Sequence, residues 1–157
     1  MSNVERRLRD AGLVLPPATT PMAAYVPAIR SGRLVFVSGQ GPIRDGAPVY
    51  QGRLGAEVSE EQGVDAARIC ALNTLAVLAS EIGDLDRVRQ VVKLLGFVSS
   101  TDDFDRQPFV MNGASELFLM AFGPERGRHA RSAIGTNALP LRIPVEIEVA
   151  FELDGDE

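Results

Sequence analysis

The chain has 157 residues, of which 45% are hydrophobic and 24% charged, and this is the size and composition of one soluble domain. A net charge of −5 and the lack of tryptophan argue against nucleic acid as the main partner, because its binders present a basic face and stacking aromatics. The single cysteine rules out an internal disulfide. The uninterrupted apolar stretches are far shorter than the roughly 18 residues of a membrane span. We therefore expect a cytoplasmic protein with no membrane partner.

The first 21 residues are predicted to form a segment of their own, ahead of a domain that spans residues 22–157. Residues 2–12 have the pattern of a short amphipathic helix, and Gly12 is a plausible stop for it. The proline-rich stretch 16–21 is typical of a stiff, extended connector. We expect this helix to pack on the domain as an appendage.

Two β-hairpins are predicted next. The strand-like runs Tyr25–Ile29 and Leu34–Val37 flank a Ser31-Gly32 turn. Pro27 would place the first run at a sheet edge or at a bulge, because proline has no N–H to donate. Asp45-Gly46 is a strong turn signal for a looser second hairpin between residues 42 and 50.

A long helix is predicted after the hairpins. Ser59-Glu60-Glu61-Gln62 is a capping box, and the apolar periodicity that follows continues to Ile82, with Gly83 as the stop. Residues 89–98 are then apolar and β-branched on both alternations, which is typical of a strand covered on both faces.

A second helix and two strands complete the prediction. The helix is expected from Pro108 to Phe122, ending at Gly123, and the strands near 130–139 and 143–153. The predicted order is one helix followed by β-β-β-α-β-α-β-β. This is an α+β fold in which two helices cover one face of a single mixed sheet. The other face needs a cover, which association of identical chains would supply.

Few residues could carry chemistry. His129 and Cys70 are far apart in sequence and no metal-binding motif is present, so no metal site is predicted. Cys70 lies within the long helix among apolar residues and is expected to be core packing. His129 is expected to be a surface or capping residue rather than a catalyst. Motifs for nucleotide cofactors and for α/β-hydrolase chemistry are also missing.

Arg131 is the most informative charged residue. On a strand it shares its face with Ala133, Gly135 and Asn137, and such small neighbours indicate a guanidinium at the edge of a cavity. A guanidinium matches a carboxylate with two parallel hydrogen bonds. Two interpretations stay open: a carboxylate-binding residue, or an ion pair with Glu146 or Glu148 on the adjacent strand.

The segment Ser38-Gly39-Gln40 directly follows a strand and also allows two interpretations. It is either a strand-ending turn in which Gly39 relieves backbone strain, or a contribution to a pocket.

Several segments occur in an order and spacing that resemble the RidA/YjgF family, also called the reactive intermediate deaminase or L-PSP family. They are Tyr25-Val26-Pro27-Ala28, Ser38-Gly39-Gln40-Gly41-Pro42, the run Met111–Phe118, Ala130-Arg131-Ser132, Leu139-Pro140 and Val145-Glu146-Ile147-Glu148. The resemblance covers about residues 22–153.

The resemblance implies a chorismate-mutase-like homotrimer with pockets at its subunit interfaces. It implies hydrolysis of reactive 2-imino or 2-enamino acids to 2-keto acids and ammonia, with no cofactor. Arg131 would bind the substrate carboxylate, and Glu146 would orient or activate water. Tyr25 would close the pocket, and Ser38 and Asn112 are further pocket candidates.

The chain also departs from the family's pattern. Ala133 stands where many members have cysteine, the loop before the second helix is longer, and the N-terminal helix is extra. These departures indicate a divergent subgroup. One alternative is a non-catalytic protein that binds or senses small carboxylates. Another is an endoribonuclease, as the family's older name suggests, but this activity fits the acidic composition less well.

Overall fold

A five-stranded mixed sheet dominates the computed structural model, which describes residues 1–21 and 23–155. The helices are α1 (Asn3–Asp10), α2 (Glu60–Ile82) and α3 (Gln107–Arg126), and the strands are β1 (Ala28–Ser31), β2 (Leu34–Gln40), β3 (Ile43–Arg44), β4 (Ala47–Pro48), β5 (Val88–Ser99), β6 (Ala130–Thr136) and β7 (Val145–Leu153). The sheet order is β1-β2-β7-β5-β6, with β5 and β6 parallel and the other neighbouring pairs antiparallel. Helices α2 and α3 pack on one face, so the predicted α+β fold class is confirmed.

The two hairpins form as predicted, with two differences in their strands. The second hairpin makes a separate two-stranded ribbon of β3 and β4, so four strands precede α2 instead of three. The first strand begins at Ala28 rather than at Tyr25. Because Pro27 has no N–H, its carbonyl alone joins the pairing by accepting from the Ser38 N–H, and Tyr25 stays in the preceding loop.

Helix α2 is the central helix of the core. Its capping box is formed, with Ser59 Oγ accepting from the Gln62 N–H and the Gln62 side chain accepting from the Ser59 N–H. The predicted core role of Cys70 is confirmed, because this residue is fully buried and its Sγ lies 3.6 Å from the Val145 carbonyl oxygen. By length and average hydropathy α2 is apolar enough to cross a membrane, although it contains no long uninterrupted apolar run. Its most apolar 18-residue window is 67% buried inside the fold, so α2 is a core helix.

Helix α3 crosses α2 at a point where only glycine fits. A Cβ atom on Gly113 would lie 2.1 Å from the backbone oxygen of Val64 in α2. The regular part of α3 ends where predicted, because Gly123 has a φ of 86° and a ψ of 170°; one more turn continues to Arg126.

The crossing of α2 and α3 gives a stability prediction. We expect Gly113→Ala to destabilise the fold by about 2 kcal/mol, because the new methyl group can be accommodated only by separating two helix backbones. Thermal unfolding should show a Tm lower by roughly 5 °C. Glu116→Ala, an exposed position on the same helix, is the control, and an equal Tm for both variants would contradict the prediction.

The N-terminal helix packs on the domain through one face, as expected, and its buried residues join the core. Val4 and Leu8 are each only 1% exposed, and α1 packs against α3. The Asp86 carboxylate accepts hydrogen bonds from the Asn3 and Val4 N–H groups at the start of α1. The predicted domain, 22–157, includes three residues outside the described ranges, Met22, Asp156 and Glu157.

The sheet face opposite α2 and α3 is apolar and uncovered within one chain. We call it the open face; its large exposed hydrophobic residues are Ile29, Leu34, Phe36, Val92 and Ile134. Phe36 and Ile134 are each 45% exposed. The uncovered apolar face that the sequence predicted is therefore present.

Candidate active site

Arg131 lies on the edge strand β6 and points to the helix side of the sheet. It is in register with Leu94 of β5, which is fully buried under the helices. Its Nη1 donates to Asn112 Oδ1 at 2.9 Å and to Ser115 Oγ at 3.1 Å, and its Nη2 donates to the Pro108 carbonyl oxygen at 3.1 Å. Helix α3 thus holds the guanidinium with three uncharged acceptors.

This arrangement leaves the guanidinium able to bind an anion. Arginine has five N–H donors, and the contacts with α3 use both protons of Nη1 and one of Nη2. The proton on Nε and one on Nη2 make no hydrogen bond within the described residues, and Nε and Nη2 lie on the same edge of the guanidinium. Within residues 1–21 and 23–155, no carboxylate forms a salt bridge with Arg131. A carboxylate ligand can therefore be bound by two parallel hydrogen bonds.

His129 extends the same cluster. Its Nε2 lies 2.8 Å from Ser115 Oγ, its Nδ1 lies 2.7 Å from the Gly127 carbonyl oxygen, and its ring meets the Phe118 ring edge-on. Burial lowers the pKa of His129, the Gly127 carbonyl raises it, and the Arg131 charge lowers it further. His129 is half-buried, and its bond to the carbonyl of Gly127, the C-cap residue of α3, agrees with the predicted capping role.

The acceptors from α3 follow a helical spacing that sequence reasoning did not use. Pro108, Asn112 and Ser115 are at i, i+4 and i+7, so they lie on one face of the helix. Asn112 was predicted as a site residue and is in direct contact with Arg131. Ser115 and the Pro108 carbonyl were missed, although polar residues on the face turned toward β6 were a usable signal.

A second group of predicted site residues lines a cavity elsewhere in the chain. The cavity has a volume of about 300 Å³ and includes Tyr25 and Glu146, with the connector residues Thr19, Thr20 and Pro21 on one side and Pro140, Leu141 and Ile143 on another. Burial raises the pKa of Glu146, and the nearby charge of Glu148 raises it further. The cavity therefore holds a carboxylate that binds a proton more readily than an exposed glutamate does.

Gly39 makes room for Glu146. A Cβ atom on Gly39 would lie 2.7 Å from Glu146 Oε1, and Gly39 does not have a positive φ, so close approach rather than backbone strain requires glycine here. The adjacent Ser38 donates through its Oγ to the Val26 carbonyl oxygen at 2.7 Å. Ser38 thus fixes the loop that leads to Tyr25.

Arg131 and Glu146 do not meet within one chain. Glu146 is in register with Phe97 of β5 and Arg131 with Leu94, three residues earlier, so the two side chains point to opposite faces of the sheet. The alternative of an ion pair between Arg131 and Glu146 or Glu148 is wrong, because β5 lies between β6 and β7. In the described part of the chain, no group of three His, Cys, Asp or Glu residues is arranged to hold a metal.

Comparison with known proteins identifies this combination of fold and residues. The protein is a small α+β domain of the chorismate-mutase-like type, with two helices on one face of a mixed sheet. Residues 5–151 match the family model described as "YjgF/chorismate_mutase-like, putative endoribonuclease". The chain therefore belongs to the YjgF/chorismate mutase-like family, and the resemblance found in its sequence is confirmed.

The chain is also similar to three individual proteins. It is 44% identical over 151 residues to Protein TCP17 of Trypanosoma cruzi, covering 96% of this chain and 94% of that protein. The crystal structure of Atu1372 from Agrobacterium tumefaciens, a protein of unknown function, is 42% identical with a TM-score of 0.90 and covers 96% of this chain and 92% of that one. E. coli TdcF, crystallised with bound serine, is 21% identical with a TM-score of 0.61, covering 88% of this chain and 93% of that one.

Proposed function

We propose that this protein hydrolyses reactive 2-imino and 2-enamino acids to 2-keto acids and ammonia, in the cytoplasm and without a cofactor. The observation that carries the proposal is the Arg131 guanidinium, which α3 holds with uncharged acceptors while two adjacent donors stay available. A substrate carboxylate bound there would have its C=N carbon at a fixed distance from the arginine. This anchoring converts an encounter with water into a reaction within one complex.

The reaction needs one further group, and Glu146 has the chemistry for it. A carboxylate whose pKa is raised by burial accepts a proton from water as the water oxygen bonds to the carbon of the protonated imine, which gives a neutral carbinolamine. The same proton, returned to nitrogen, allows the C–N bond to break and ammonia to leave, and the hydroxyl proton passes to Glu146 as the keto C=O forms. The resemblance to the RidA/YjgF family assigns these roles to Arg131 and Glu146, and their surroundings support that assignment.

The pocket is proposed to form between subunits. Since Arg131 and Glu146 point to opposite faces of one sheet, they can act on one substrate only if each comes from a different copy of the chain. The open face gives such copies an apolar surface to bury, and a large exposed apolar patch marks a protein interface. The homotrimer implied by the resemblance would satisfy both requirements.

Substitution of Phe36 tests this assembly. Phe36 is 45% exposed on the open face, so we expect Phe36→Glu to place a charge in the subunit interface and give a monomer in light scattering. Arg30→Glu on the neighbouring strand β1, outside the apolar set, is the control and should keep the wild-type mass. A monomeric wild-type protein would contradict the proposed trimer.

The available ligand chemistry points to small carboxylates. TdcF, which shares the fold, was crystallised with serine, an amino acid with a free carboxylate. The likeness to TdcF concerns the fold, and Arg131 itself supplies the chemical argument here. Endoribonuclease activity, named in the family description, is less well supported, because the chain has a net charge of −5 and no tryptophan.

The test is hydrolysis of freshly generated 2-iminobutyrate, with semicarbazide present to trap the imine that escapes the protein. We expect the wild-type protein to speed release of the keto acid and to lower the yield of semicarbazone. A trimeric protein with no effect on either would contradict the proposed reaction. Its pocket would then be a binding site for another carboxylate.

A further inference from the structure

The hydrogen bonds around a neutral His129 ring have one consistent direction. A carbonyl oxygen can only accept, so the 2.7 Å contact with Gly127 places the ring proton on Nδ1. Nε2 of the neutral ring is then an acceptor, and the Ser115 hydroxyl donates to it across 2.8 Å. With its proton turned toward His129, Ser115 Oγ presents a lone pair to Arg131 Nη1 at 3.1 Å.

We propose that His129, in its neutral form, is a positioning residue for Arg131 and acts through Ser115. The chain Gly127–His129–Ser115–Arg131 fixes one edge of the guanidinium and thereby sets the direction of its remaining donors. This inference rests on the proposed function, because it assigns those donors to a carboxylate ligand.

The His129 ring is itself held in place. Its edge-on contact with Phe118, at 6.1 Å between ring centres, adds to its two hydrogen bonds, and Phe118 is fully buried. The ring is therefore a rigid support, whereas a serine alone could rotate its hydroxyl among several acceptors.

Protonation of His129 would reverse the arrangement. Nε2 would become a donor, the Ser115 proton would lose its acceptor, and two cations would face one hydroxyl group. Arg131 is the charged group that lowers the pKa of His129. A second cation, Arg128, lines the same shallow surface depression as His129. Because burial holds the pKa of His129 below its ordinary value of about 6.5, ligand binding should stay constant above that pH and weaken as the pH falls through the lower value.

The first experiment measures binding of 2-oxobutyrate, the keto-acid product, by calorimetry at pH 7.5. Ser115→Ala and His129→Leu should each weaken binding roughly 2- to 10-fold, the effect of one hydrogen bond. The double variant should be no weaker than the worse single one, because both act through one chain of bonds. Glu116→Gln, exposed beside Ser115 on α3, is the control. Additive losses, or no loss in either single variant, would overturn the proposal.

The second experiment compares pH profiles of binding. His129→Gln keeps an acceptor near Ser115 but cannot be protonated, so it should recover most of the His129→Leu loss and remove the weakening at low pH. A variant profile that still follows the wild type would overturn the assignment to His129. Arg131→Ala distinguishes failure of the proposed function from failure of the inference about His129. If Arg131→Ala leaves binding intact, the proposed function fails. If Arg131→Ala weakens binding but the Ser115 and His129 variants do not, only the inference about His129 fails.

Discussion

Replacing Arg131 by alanine is expected to lower kcat/KM for 2-iminobutyrate by about 10-fold or more. The lost interaction is a charge-assisted pair of hydrogen bonds, which contributes about 1.5–3 kcal/mol, and each 1.4 kcal/mol corresponds to a factor of ten. The loss should be mainly in KM if the carboxylate is held equally in the ground state and the transition state, and also in kcat if anchoring aligns the C=N carbon. Steady-state kinetics over a range of imine concentrations separates the two.

Arg131→Lys is the matched comparison. Lysine keeps the positive charge but cannot provide two parallel donors, so it should recover only part of the loss. Both variants must keep the wild-type mass and a similar Tm, because Arg131 also ties β6 to α3 through Asn112, Ser115 and Pro108. Wild-type kinetics in a folded Arg131→Ala protein would contradict the assignment of Arg131 as the residue that binds the substrate carboxylate.

Local sequence signals predicted most of the fold. The Ser59 capping box and Gly83 bounded α2 correctly, and the Asp45-Gly46 and Ser31-Gly32 turns located both hairpins. These features are decided within a few residues, where capping and turn chemistry outweigh distant contacts. The first strand was misplaced by three residues because the effect of Pro27 depends on its partner strand.

The site was harder to predict because it depends on strand order. Alternation along β6 correctly separated the Arg131 side from the Ile134 side. The sequence could not show that β5 would lie between β6 and β7, and the supposed ion-pair partners of Arg131 were assigned to the wrong neighbour for that reason. The role of Ser115 likewise depends on which face of α3 meets β6.

The sequence predicted the N-terminal segment, residues 1–21, as separate from the domain that follows. In the structure this segment connects the core to the cavity that contains Glu146. Val4 and Leu8 anchor α1, and the connector that follows contributes Thr19 to the cavity wall. Thr19 Oγ1 donates to Gln40 Oε1 at 2.6 Å, beside the Gly39 position that accommodates Glu146.

Replacing Glu146 by glutamine should have the largest effect on turnover. Loss of a general base costs about 100- to 10,000-fold in rate, and Glu146→Gln keeps the size and polarity of the side chain beside Gly39. We expect kcat to fall by about 100-fold or more while binding of 2-oxobutyrate changes little. A protein that only senses carboxylates would show no enzymatic rate to lose, so this variant also separates the two functions.

The pH dependence gives this prediction a second test. A base must be deprotonated, so wild-type kcat/KM should rise with pH through the raised pKa of Glu146 and level off above it. Glu148→Gln is the matched control: its charge helps to raise the pKa of Glu146, so its removal should move the rising limb to lower pH and leave the plateau nearly unchanged. Residual activity of Glu146→Gln that keeps the wild-type rising limb would mean that another group is the base. A Glu148→Gln profile that coincides with the wild type would show that the two carboxylates do not interact.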